Sequence, residues 1–151
     1  MKKIVSSATM LFAALVLILG SATSAKAYDC GTAVDTLCKS FNAMKTQVNA
    51  INSLDGFDNL DFDAAIDRSG VGDIPDSCMS HVMTQAEKTK LKNAFNGLMD
   101  AMINKLYSLG GGMITKAEVS AQFNPMKNTF AKAVDSAKTL GDVVYSMENL
   151  W

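Results

Sequence analysis

The chain has little of what most enzymes work with. Its 151 residues include one His, one Trp, two Pro and three Cys. A single imidazole excludes multi-His metal centres within one chain. There is no excess of basic residues. Lys plus Arg is 14 and Asp plus Glu is 15, which argues against a nucleic-acid binder. No Cys-x-x-Cys-His is present, so covalent haem attachment is excluded, and no motif implies any other cofactor. No Asn-x-Ser/Thr sequon occurs. No segment alternates strictly between apolar and polar residues, and no repeat of 20–50 residues is visible, which removes strands and solenoids. Charged residues are 19% and hydrophobic residues 48%, so the chain is not disordered throughout. Its length allows one domain.

The longest apolar run is Met10 to Leu19, too short for the roughly 20 residues of a comfortable membrane span. Lys2 and Lys3 precede it, and Ala25-Lys26-Ala27 follows as a small-x-small exit. This pattern reads as a secretory signal over residues 1–27, cleaved before Tyr28, with no stable membrane span afterwards. The expected location is the periplasm or the outside of the cell. Without its leader the chain keeps 11 basic and 15 acidic residues. Residues 55–76 hold seven Asp and one Arg, whereas residues 77–151 hold eight Lys against six acids.

What remains reads as all-α. Thr32-Ala33-Val34-Asp35 has the form of a capping box, and Val34, Leu37, Cys38, Phe41, Met44, Val48 and Ile51 follow at helical spacing. Asp55-Gly56 is the expected stop. Thr84-Gln85-Ala86-Glu87 opens a second helix with Leu91, Phe95, Leu98, Met99, Met102 and Leu106 on one face, ended by Gly110-Gly111-Gly112. Thr115-Lys116-Ala117-Glu118 opens a short helix. Asn124-Pro125 reads as a new N-cap and first turn, leading a stripe from Met126 through Phe130 and Val134 to Met147. The expected fold is a small helical bundle, three long amphipathic helices plus a short one, in a single domain over 28–151. An acidic connector over 55–83 joins the first two long helices. Its Phe57, Leu60, Phe62 and Ile66 should pack, with one or two helical turns between Asp61 and Arg68.

An oxidising compartment should pair two of the three cysteines. Cys30 and Cys38 would stand about 12 Å apart along one helix, beyond bridging reach. Cys78 is the easier partner for either. Because Cys38 lies on the inner stripe, Cys38–Cys78 is the favoured bridge, with Cys30–Cys78 the alternative. Either one brings Cys78 to the start of the first helix. The first two long helices then run parallel, and the last runs antiparallel to the second.

Chemistry-bearing candidates are few. Cys78-Met79-Ser80-His81-Val82-Met83 gathers soft donors, and Met79, His81 and Met83 are the residues that could hold Cu(I). They converge only if residues 79–83 are extended or turned. The competing reading has Cys78 oxidised, Met83 packed and His81 at the surface. The connector's Asp55, Asp58, Asp61, Asp63 and Asp67 could meet Ca²⁺ but lack the EF-hand order, so a solvated acidic loop is the simpler reading. Gly112 to Glu118 fits the second half of an EF-hand loop, but Tyr107, Leu109 and Gly111 stand where carboxylates should be. The triple glycine lacks the Lys-Ser/Thr ending of a phosphate loop and reads as a hinge. Trp151 and Tyr145 should lie exposed or half-buried at the end of the bundle. No catalytic set assembles. The expected function is an exported, non-enzymatic binding protein for another protein or a cell-surface component. The alternative is a periplasmic soft-metal carrier using the Cys78–Met83 segment.

Overall fold

A computed structural model describes residues 28–148. Residues 1–27 and 149–151 lie outside the described residues, and so do the expected secretory signal and the expectation for Trp151. Five α-helices follow in order: α1 (Ala33–Ala50), α2 (Phe62–Ser69), α3 (Gln85–Leu109), α4 (Lys116–Ser136) and α5 (Leu140–Glu148). Short 3₁₀ turns at Cys30–Thr32, Leu54–Asn59, Val71–Asp73 and Asp76–Ser80 join or precede them. There is no strand among the described residues, only an isolated bridge between Val82 and Thr139. The fold is a small all-α bundle.

The apolar stripes meet where they should. Phe41 of α1, Phe95 of α3 and Phe130 of α4 are each at most 1% exposed and pack as a trio. Phe95 stacks on Phe130 with ring centroids 4.1 Å apart, and Phe41 meets both edge-on at 5.5 and 6.0 Å. Each buried phenyl stabilises by roughly 1.5–3 kcal/mol through area alone, so this trio is one strong link between the three long helices.

Ion pairs report the helix directions. Asp35 near the start of α1 meets Lys90 near the start of α3 at 2.5 Å, and Lys105 near the end of α3 donates to the Asn49 carbonyl near the end of α1. α1 and α3 are therefore parallel. Lys92 meets Asp135 and Asp100 meets Lys127, so α4 runs antiparallel to α3. These pairs are solvent-exposed and stabilise by about 0–1 kcal/mol each, so they mark register more than they hold the fold.

The connector folds back along α1. Phe57, Phe62, Ala65, Ile66, Val71 and Ile74 are buried, while all seven of its Asp are exposed. Asp61 caps α2 by accepting from the Ala64 N–H at 2.8 Å, and Gly70, at φ +80°, ends it in the left-handed region that glycine tolerates.

Three local expectations need correction. Thr32 makes no cap bond. Its backbone is already helical, because the Cys30–Thr32 turn runs straight into α1, and its hydroxyl donates to the Asp29 carbonyl. α1 ends at Ala50, ahead of the Asp55-Gly56 stop. Pro125 does not start a helix: α4 runs through it without a break. Proline deprives the Ala121 carbonyl of its amide donor, but Ala121 and Pro125 both face solvent, where water takes that role. The real break is at Ala137. Thr139 and Asp142 cap α5 reciprocally: Asp142 Oδ2 accepts from the Lys138 and Thr139 N–H groups, and the Asp142 N–H donates to Thr139 Oγ1.

Candidate functional site

The chemistry-bearing residues gather at the end of the bundle where α1 and α3 begin. The disulfide there joins Cys30 to Cys78, with Cα atoms 5.2 Å apart. The favoured Cys38–Cys78 pairing is not formed, and the alternative is. Cys30 sits on the turn that precedes α1, level with the Asp76–Ser80 turn that covers this end. Cys38 lies two helical turns further down, facing the core at 5% exposure. Its thiol is free and pushed up to about 11. Burial is the dominant cause, the Lys90 charge works against it, and the Asp35 carboxylate adds to it. At neutral pH such a sulfur is a small core hydrophobe and not a nucleophile.

The Asp76–Ser80 turn closes when the His81 N–H donates to the Cys78 carbonyl. Beyond it the chain is extended. The Met83 N–H donates to the Lys138 carbonyl, and the Leu140 N–H donates to the His81 carbonyl, at 3.0 and 2.9 Å. This two-bond clasp locks Val82 opposite Thr139. Met83 is thereby turned into the core at 6% exposure, and Met79 packs half-buried against the same core. Gly141 is what lets α5 close on this turn. A Cβ there would stand 2.9 Å from the Met79 carbonyl oxygen, too close for any side chain.

His81 is engaged by Glu87, with Nε2 to Oε1 at 2.9 Å. Glu87 divides its two oxygens. Oε1 takes the imidazole, while Oε2 accepts from the Thr84 N–H and hydroxyl and so completes the capping box of α3. Partial burial works to raise the Glu87 carboxyl. The Thr84 N–H, the His81 side chain and the Thr84 hydroxyl outweigh it and hold the group below the usual carboxylate range. The partner of His81 could be read from the chain: in His81-x-x-Thr84-x-x-Glu87 the glutamate that caps the helix also faces the residue leading into it. Sequence reasoning took Glu87 only as a cap.

Of the proposed soft-donor set, then, Met83 is a core residue, Met79 packs on the core and His81 holds a carboxylate. No group of three or more His, Cys, Asp or Glu side chains is placed to hold a metal ion among the described residues. To solvent the fold presents the connector's aspartates and a few large apolar side chains, with Val82 70%, Met113 84% and Tyr145 68% exposed. Among the described residues no helix is long and apolar enough to cross a membrane. That and the disulfide are compatible with an extracellular or periplasmic protein. No protein-family model, curated protein or solved structure matches this chain.

Proposed function

We propose that the chain is an exported, non-enzymatic helical protein that binds another protein or a cell-surface component, delivered to the periplasm or beyond by the segment 1–27. The observation that supports this reading is how the reactive side chains are used. His81 braces a helix cap, two sulfurs form a disulfide and the third is sealed in the core. A scaffold fastened in this way offers rigid surface for recognition, where the ordering entropy of binding is largely met by folding.

The test is capture from periplasmic or culture fluid with tagged wild-type protein. It runs beside His81→Gln and a surface variant carrying Val82→Asp, Met113→Ser and Tyr145→Ser. We expect a stoichiometric partner that His81→Gln retains and the surface variant loses, with little change in melting temperature. Equal capture by all three proteins overturns the reading, as does a function abolished by His81→Gln in a protein that melts normally.

A further inference from the structure

We propose that the groove between the C-terminal halves of α1 and α3 binds a small oxyanion-bearing molecule, one whose phosphate or carboxylate sits between Lys45 and Lys105. The groove has a volume of about 520 Å³ and is lined chiefly by Lys45 and Asn49 of α1 and by Gly97, Asp100, Asn104 and Lys105 of α3. That volume falls within the ~300–1,000 Å³ of small-molecule sites.

The charges in it do not cancel. Asp100 is met by Lys127 of α4 at 2.7 Å, which neutralises its carboxylate from outside the groove. Lys105 is anchored by donating to the Asn49 carbonyl at 2.8 Å, and its ammonium keeps two further N–H donors. Lys45 has no acceptor for its ammonium among the described residues. Two cations therefore face a polar trough with the Asn104 amide beside them, on a chain whose connector is strongly acidic. Two ammoniums lining one trough together strengthen its attraction for an anion and repel a cation.

Gly97 supplies an independent argument. It lies in the middle of the 25-residue α3, where glycine lowers the folding equilibrium constant roughly fivefold relative to alanine. Nothing in the packing asks for it. Its φ is not positive, and an added Cβ would come no nearer than 3.5 Å to any atom outside its own stretch of helix, that atom being Lys45 Nζ. This is the reverse of Gly141, which the fold does require. What the missing side chain leaves is an uncovered stretch of groove floor, with Lys45 Nζ at ordinary contact distance, 3.5 Å, from where a Cβ would stand. The groove shares no lining residue with the surface tested above, so either idea can fail alone.

The test is an NMR titration with sodium phosphate and, separately, sodium acetate, with ionic strength held constant by sodium chloride. Expected are saturable shifts at the amides of Lys45, Asn49, Gly97, Asn104 and Lys105, with a dissociation constant on the order of millimolar, the strength of a few charge-assisted hydrogen bonds in water. Lys45→Gln should weaken binding at least fivefold and Lys45→Arg should largely retain it. Gly97→Leu, which fills the floor and leaves both charges, should abolish binding with the helical spectrum preserved. Saturation with both anions assigns a general oxyanion site, and saturation with one assigns its chemistry. Shifts that do not saturate by about 50 mM, or that are equal in wild type and Lys45→Gln, overturn the proposal.

Discussion

Breaking the Cys30–Cys78 bridge should cost more stability than any exposed ion pair, and the cost should arise in the unfolded chain. The cysteines are 48 residues apart in sequence. In the chain-entropy model a loop of that length is worth about 4 kcal/mol at 25 °C. Single domains are stable by roughly 5–15 kcal/mol, so the loss is a large share of the whole. With an unfolding entropy of ~2.1 cal/mol/K per residue, a domain of this size loses about 4 °C per kcal/mol, or about 15 °C in all. The protein for the test carries Cys30→Ala and Cys78→Ala together, and wild type under reductant makes the same covalent change without truncating a side chain. Urea unfolding should show a larger m-value once the bridge is gone, because an unconstrained chain exposes more surface. Cys38→Ala is the control and should shift melting by much less, since it shortens a small buried side chain and breaks no cross-link. Alkylation at pH 8 should leave Cys38 unlabelled in the folded protein and label it after denaturation, as a thiol near 11 is almost wholly protonated there. A fall of less than about 5 °C in the double variant, or an equal fall in Cys38→Ala, would refute the reasoning.

Phe95→Ala should destabilise by about 3–5 kcal/mol, measured by chemical denaturation, because it leaves Phe41 and Phe130 facing a cavity. Gly141→Ala should destabilise by roughly 1–3 kcal/mol despite alanine's better helix propensity, since its methyl meets the Met79 carbonyl; a stabilised Gly141→Ala variant means that the contact is loose. The carboxyls of Glu87, Glu118 and Asp142 are all held below their ordinary values by the N–H groups and hydroxyls they cap, so each contributes stability that is present above the unfolded value, ~3.9–4.3, and lost as pH falls through the folded one. Glu118→Gln should therefore flatten the acid limb of a stability–pH profile below about pH 4.3, and an unchanged limb means that this cap is not populated in solution.

The features that could be read from the chain close within one helical turn. Thr84 and Glu87, like Thr115 and Glu118, are a cap and its partner three residues on, and both boxes form as written. Thr139 and Asp142 obey the same rule but are hidden in the sequence by the hydrophobic stripe that runs through them. Pro125 was misread for the opposite reason. A proline at a first helical position and one on the wet face of a continuous helix have the same local backbone, so local rules cannot separate them. The longer pattern does: Val119, Phe123, Phe130 and Val134 keep one buried face on both sides of it.

The cysteines failed on a different length scale. Cys38 was preferred because it points inward. That orientation is what removes it, since a sulfur buried between helices two turns below their start cannot also meet the turn that covers the end. Cys78 belongs to that cover, and so do His81, Val82 and the Gly141 contact. The bridge ties the short stretch 76–83 to the turn before α1, the clasp ties it to the junction of α4 and α5, and the His81–Glu87 pair ties it to the first turn of α3. Each fastener is a contact between segments distant in sequence or a side reaction of a cap, and none has a periodicity of its own. The Cys78–Met83 segment reads as a ligand set in the sequence because polar and soft side chains cluster in it, and in the fold Cys78 is oxidised, Met83 lies in the core and His81 pairs with Glu87. They cluster because a non-helical segment without much apolar area must be held by specific bonds, and this chain places its scarce Cys and His where those bonds are needed.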